Sequence, residues 1–178
     1  MRRRTRVTTL LLGVLAVVGA GAVGLRLWLG RSAELQVAAS EIVDFRKLRP
    51  SPRGNHYVMC PAVLCPDSAN APSPTFSMRW ERLRDYWNEA VAMQPRVELV
   101  AAEAGGRKLT YVQRSFFFRF PDIITVEFLP AGDGRSTLAI ASHSRYGQAD
   151  FGVNGERVEA WTDLLLSMMR KEQVIATP

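Results

Sequence analysis

The sequence predicts an α+β domain that follows an N-terminal transmembrane helix. An uncharged run fills residues 7–25, four strand-like runs lie between residues 97 and 144, and a helical pattern flanks the strands on each side. Strands that follow one another through short turns pair antiparallel, and helices then cover an apolar sheet face. We therefore predict a membrane segment in residues 1–31, a stalk and Pro-rich extended region in 32–74, and a domain in 75–172 with a four-stranded antiparallel sheet flanked by two helices.

Residues 7–25 have the length and the flanking charges of a membrane anchor. As a helix they would span about 28 Å, close to the roughly 30 Å hydrocarbon core of a bilayer. Four arginines precede the run and two follow it, which favours a cytoplasmic N-terminus. We expect a single-pass inner-membrane protein with a periplasmic or other extracytoplasmic domain. The alternative is a cleaved signal peptide, because Ala20-Gly21-Ala22 has the small-x-small form of a cleavage site.

The net charge of +6 comes from the N-terminal arginines. Six of the 23 lysines and arginines lie in residues 1–31, which contain no acid, so 17 basic residues face 17 acidic ones in the remainder. A neutral domain without a basic stripe is a poor match for nucleic acid, and we expect no nucleic-acid partner.

The first helix of the domain is predicted over residues 78–95. Ser77 is a candidate N-cap and Pro95 a stop signal. Apolar residues recur at steps of three and four, as expected for a stripe that faces a core. The stripe consists of Trp80, Leu83, Trp87, Ala90 and Val91.

The strands are predicted over residues 97–103, 108–115, 123–129 and 136–144. Glycine turns separate the first two and the last two. Matching the apolar faces of the last two strands pairs Val126 with Leu138 and Ile124 with Ile140. The stretch "SFFFRFPD" between the second and third strands is predicted to be a buried corner, with an exposed apolar patch as the alternative.

A last helix is predicted over residues 155–171, and the segment before it is the main candidate site. Asn154 is a candidate N-cap, Asp150 suits a helix N-terminus, and glycines permit positive φ. The same segment could clamp an anion, because arginines and helix N-termini bind carboxylates and phosphates. The candidate ligand-binding or motif residues are Arg145, Tyr146, Gly147, Asp150, Gly152, Asn154 and Arg157.

The cysteines and histidines are compatible with a disulfide, with free thiols or with a zinc site. Cys60 and Cys65, the only cysteines, favour a disulfide in an oxidising compartment, with free thiols as the alternative. With His56 they offer three zinc ligands and no clear fourth, so we predict no metal. His143, the other histidine, is expected near Glu127 and Thr125, on the face opposite Ser142 and Ser144.

Three stretches resemble the bacterial family known as domain of unknown function 1499. They are "NHYVMCPAVLC", "RKLTYVQRSFFFRFPDIITVEFLP" and "SHSRYGQADFGVNGERVEAW", within residues 50–168. The last stretch carries the family's S-R-x-G-x-x-D-x-G-x-N-x-x-R-V pattern at Ser144, Arg145, Gly147, Asp150, Gly152, Asn154, Arg157 and Val158. The family has no established activity, so the resemblance implies kinship and an envelope setting. Ala71 stands where many members have a further cysteine.

These patterns favour a binding or interaction module over an enzyme. The sequence has no P-loop, dinucleotide fingerprint, H-E-x-x-H or G-x-S-x-G motif, and we predict no cofactor. We expect an envelope protein or a small apolar or anionic ligand as partner. The alternative is an envelope hydrolase or transferase that uses His143 with Glu127, or Asp150 with Arg145.

Overall fold

The computed structural model describes residues 37–50 and 52–176, with the side chains of those up to residue 171. Six strands and two helices form the described part of the chain. Short 3-10 turns at Ala39–Glu41 and Phe45–Lys47 precede them, and a third at Ala104–Gly106 follows β3. The elements are β1 (His56–Met59), β2 (Thr75–Phe76), α1 (Trp80–Ala92), β3 (Val97–Glu103), β4 (Lys108–Arg114), β5 (Pro121–Pro130), β6 (Ser136–Ser144) and α2 (Val153–Ala176).

The strands form one antiparallel sheet with the order β1-β6-β5-β4-β3, and β2 also pairs with β6. The α+β class is thus confirmed, but the predicted count of four strands is wrong, because the sheet has six. The additional strands lie in the region that we interpreted as extended and Pro-rich. They are four and two residues long, too short to show the period-two alternation that identifies a strand.

The register of β5 and β6 differs from the prediction by two residues. Val126 lies opposite Ile140, and Phe128 lies opposite Leu138. Side chains in a strand repeat every two residues, so a shift of two keeps every apolar residue on its predicted face. The loop between Pro130 and Ser136 decides the register, since these two residues form the last pair.

One face of the sheet packs against both helices. Trp87 of α1 contacts Trp161 of α2 and Phe128 of β5, with ring centroids 5.8 and 6.3 Å apart. The predicted stripe is buried at Leu83, Trp87, Ala90 and Val91, and Trp80 is partly buried. The predicted cap was wrong: α1 begins at Trp80, and Arg79 rather than Ser77 holds the N-cap position.

The other face of the sheet is covered by the chain that precedes β1 and by the loop after it. Phe45 packs there against Val58, Ala139 and Ala141. The predicted disulfide between Cys60 and Cys65 is confirmed, and both cysteines are buried in this layer. The sheet therefore has helices on one side and an irregular layer on the other, which we call the N-terminal layer (residues 37–50 with the Cys60–Cys65 loop).

Residues Ser115–Phe120 fall outside the compact unit that carries the sheet. Their backbone closes on itself through Ser115 and Phe120, and the rings of Phe117, Phe118 and Phe120 stack or meet edge to face. All four phenylalanines of this segment are 42–72% exposed. The predicted buried corner is therefore wrong, because all four rings are exposed.

The predicted membrane anchor of residues 7–25, and the signal peptide that is its alternative, lie outside the described residues. Within the described ranges, no helix is both long and apolar enough to cross a bilayer.

Candidate functional site

Asn154 is the centre of the motif segment. Its buried amide accepts a hydrogen bond from Ser142 Oγ at 2.6 Å and one from Arg157. It donates to the carbonyl of Asn55 at 3.1 Å and to the carboxylate of Asp150 at 2.6 Å. A buried amide with all its polar atoms bonded stabilises one local arrangement, and here it joins α2 to β6 and to the residue before β1.

Arg157 ties α2 to three strands. It forms an ion pair with Asp122 of β5 and donates to Gln113 of β4 and to Ser142 of β6. The side chains of Arg157 and Asp122 are only 8% and 10% exposed. The guanidinium therefore has buried intramolecular partners on three strands, rather than facing open solvent.

Asp150 takes the capping role that we expected of Asn154. The helix begins at Val153, and the Asp150 carboxylate accepts hydrogen bonds from the N–H groups of Asn154 and Gly152. Burial raises the pKa of Asp150, but these hydrogen bonds outweigh it and hold the pKa below its usual value. Gly152 supplies the positive φ of 87° at which the chain enters the helix.

Arg145 is directed to a different part of the fold from the other motif residues. Its Nε lies 2.9 Å from Glu41 Oε1, so it holds the N-terminal layer against the end of β6. Gly147 has a φ of 91°, and its carbonyl accepts a hydrogen bond from Asn55. Tyr146 is half exposed. The structure thus brings Asp150, Gly152, Asn154 and Arg157 together at the start of α2 and places Arg145 elsewhere.

The alternative hypothesis of an enzyme requires His143 to lie near Glu127 or Asp150 to lie near Arg145, and neither pair is in contact. His143 lies opposite Ile123, whereas Glu127 lies opposite Ala139 and forms an ion pair with Arg46 at 2.9 Å. The expectation that His143 lies near Glu127 was wrong, because Glu127 lies four residues further along β5 than Ile123, the cross-strand partner of His143. The pairing of Asp150 with Arg145 is not seen either, since each has the other partners given above.

A cavity of about 230 Å³ lies between the N-terminal layer and the outer end of β1 and β6. His56 and His143 are direct cross-strand neighbours in its wall. Arg49 and Arg53 also line it. Sequence reasoning considered both histidines singly and missed the cavity. The available signal was that His56 and Val58, like Ala141 and His143, alternate so as to share a face.

The histidines are in an apolar and cationic environment. Burial lowers the pKa of His143, and the neighbouring His56 lowers it further, although Glu41 and Asp122 act in the opposite direction. Nδ1 of His56 is buried and has no hydrogen-bond partner in the described part of the chain. A buried polar atom without a partner carries an energetic cost, so this nitrogen marks a place where a ligand atom would be favourable.

The described residues contain no group of three His, Cys, Asp or Glu side chains that could hold a metal ion. Cys60 and Cys65 are bonded to each other. The zinc alternative with His56 would need both thiolates, and the disulfide occupies them.

The fold and the candidate site together define the class of protein. It is a small α+β domain with two helices on one face of the sheet and a basic cavity on the other face. The family model described as "Protein of unknown function (DUF1499)" matches residues 60–165, and the chain belongs to this family. The resemblance of the motif segment is thereby confirmed. A search of curated proteins found no match.

Proposed function

We propose that the protein is a membrane-tethered extracytoplasmic binding module that receives a small ligand in the cavity between its N-terminal layer and its sheet. The cavity is the observation that carries the proposal. Its wall combines apolar side chains from both layers with a few convergent polar groups, which is the usual make-up of a small-molecule site.

The tether is inferred from the sequence. Residues 7–25 are uncharged and long enough to span a bilayer, and the arginines before them favour a cytoplasmic N-terminus. The buried disulfide supports an oxidising compartment for the domain, where such bonds persist. The exposed phenylalanines of Ser115–Phe120 support a location near an apolar surface.

A binding role is favoured over catalysis because neither proposed pair of catalytic groups is assembled. Glu127 pairs with Arg46, and Arg145 pairs with Glu41. Ser142 and Ser144 hydrogen-bond to Asn154 on the helix side of the sheet, away from the imidazole of His143. No nucleophile with an adjacent base is therefore found among these residues.

Native mass spectrometry of the full-length protein, extracted from membranes in mild detergent, tests both parts of the proposal. We expect an intact mass that includes residues 1–25, together with a further small mass that is non-covalently bound. Ala141→Leu should abolish the added mass, because Ala141 lines the cavity and a larger side chain would fill it. Ala102→Leu, at an exposed position of β3, is the matched control and should retain it.

The membrane tether and ligand binding in the cavity can be refuted separately. A mature protein that lacks residues 1–22 and washes off membranes would contradict the tether. A bare protein in every extraction, or an added mass that survives in a folded Ala141→Leu variant, would contradict binding in the cavity.

A further inference from the structure

The ligand class can be inferred from the charges around the cavity. Among the described residues that line it, arginine and histidine are the only ionisable ones, and none is acidic. The two acids that act on His143 have partners of their own: Glu41 pairs with Arg145, and Asp122 pairs with Arg157. A described lining that contains arginine and histidine side chains and no carboxylate favours an anion.

The geometry of the strand pair concentrates this charge. His56 and His143 are paired in antiparallel register, so their Cβ atoms lie about 4.5–5.5 Å apart on one face. His56 lowers the pKa of His143, and an anion beside the two imidazoles would oppose that effect. The unpartnered Nδ1 of His56 supplies a polar atom that an oxyanion could satisfy.

The cavity also has an apolar part. Val43 and Leu48 of the N-terminal layer face Val58 and Ala141 of the sheet across it. An inorganic ion would not contact this apolar wall. A small organic acid would cover the wall, and the burial of apolar surface would make the free energy of binding more favourable.

We propose that the cavity binds a small organic carboxylate, with the carboxylate at His56, His143 and Arg49 and its apolar part against Val43, Leu48, Val58 and Ala141. This inference rests on the proposed function and names the ligand class for the same site. Arg53, at the cavity wall, adds to the positive potential.

Binding should take up a proton. Burial holds the pKa of His143 below its usual value in the free protein, and a bound carboxylate would raise it. The charged groups around this imidazole are His56 on β1, Asp122 on β5, Arg145 at the end of β6, and Glu41, Arg49 and Arg53 in the chain before β1. Affinity should therefore rise as pH falls through the titration range of His143, by up to about ten-fold per pH unit, and level off at both ends.

Isothermal titration of the full-length protein in detergent, freed of endogenous ligand, with benzoate as the probe tests the inference. Benzamide, which has the same shape and no charge, and inorganic phosphate, which has charge and no apolar part, are the comparison probes. We expect benzoate to bind more tightly at about pH 6 than at pH 8 and both comparison probes to bind at least ten-fold more weakly. His143→Gln should remove the pH dependence, and Arg49→Gln should weaken benzoate about ten-fold or more, while exposed Arg135→Gln leaves binding unchanged.

Each other outcome overturns the inference. Equal binding of benzoate and benzamide would make the cavity an apolar site, and phosphate binding without benzoate would exclude an organic acid. No binding of benzoate, in a protein that still yields the added mass in native spectra, would exclude the ligand class and leave the proposed function standing. A pH profile that persists in His143→Gln with an unchanged melting temperature would also count against the proposal.

Discussion

At the residue scale, the motif segment is a connected set of buried polar contacts. Asn154 and Arg157 bond to groups from β4, β5 and β6 and to Asn55, which precedes β1, so their partners are distant in sequence. Buried polar groups of this kind are costly when one partner is removed, because the others then lose their hydrogen bonds without regaining water. These residues thus hold α2 in position on the sheet.

Removing the carboxylate of Asp122 should be strongly destabilising. Asp122→Ala leaves the Arg157 guanidinium buried without its counter-charge, and we expect a loss of about 3–5 kcal/mol in the free energy of unfolding. Urea denaturation measures it. The matched control is Asp85→Ala, because Asp85 pairs with Arg84 while 62% exposed, and its effect should stay within about 0.5 kcal/mol. Similar losses in the two variants would contradict a structural role for the buried pair.

Asp150 should make stability depend on pH in the acid range. Its pKa in the folded protein lies below the unfolded value, so its contribution is complete above about pH 4 and is lost as pH falls through the folded pKa. Asp150→Asn should therefore lower stability at neutral pH, and the difference from wild type should shrink on acidification. Urea midpoints of both proteins between about pH 7 and pH 3 provide the measurement. Parallel curves would show that the carboxylate does not cap α2.

At the element scale, the close approach of α2 to β1 depends on a glycine. A Cβ on Gly155 would lie 3.1 Å from Cδ2 of Tyr57, and Tyr57 itself donates to Glu159 one turn further along the helix. A larger residue at Gly155 would therefore push the helix away from the strand. The motif's asparagine and arginine would then be displaced from their partners as well.

Gly155→Leu should accordingly lower the free energy of unfolding by about 1–3 kcal/mol, even though leucine has the higher helix propensity. Glu156→Leu, at the adjacent exposed position, is the matched control and should be close to neutral. Thermal unfolding by circular dichroism distinguishes the two. A Gly155→Leu variant as stable as wild type would contradict the tight packing of α2 on Tyr57.

The elements also show what the sequence could and could not predict. β3 and β6 were predicted to the residue, since glycine turns and long alternating runs define them. β1 was missed because four residues between prolines carry too little pattern, and with β1 missing, the pairing of His56 and His143 could not be foreseen. The motif residues were recognised, but their partners Asp122, Gln113 and Asn55 lie far away in sequence. Long-range pairs of that kind leave no local pattern.

At the scale of the whole molecule, the sheet has two differently built sides. The helix side is a continuous apolar core with three tryptophan and phenylalanine rings in contact. The N-terminal layer has little regular structure and is held by the Cys60–Cys65 bond, the Arg46–Glu127 and Arg145–Glu41 ion pairs and the burial of Phe45. The layer that forms the cavity therefore depends more on cross-links than on secondary structure.

Removing the disulfide should weaken this layer. The bond closes a loop with a sequence separation of 5, for which chain entropy gives about 2 kcal/mol. The Cys60→Ala/Cys65→Ala variant should lose about that amount in urea denaturation, and a reductant should destabilise wild type and leave the variant unchanged. A variant as stable as oxidised wild type would show that the bond adds nothing to folding.

The walls of the cavity come from segments that are far apart in the sequence. His56 and the arginines Arg49 and Arg53 lie in or before β1, whereas His143 lies in the last strand, 87 positions after His56. In a chain still emerging during synthesis, the proposed binding site would therefore be incomplete until β6 has been made and has paired with β1. The proposed ligand would then bind only after the sheet has formed, and it would connect segments of the chain that are synthesised at different times.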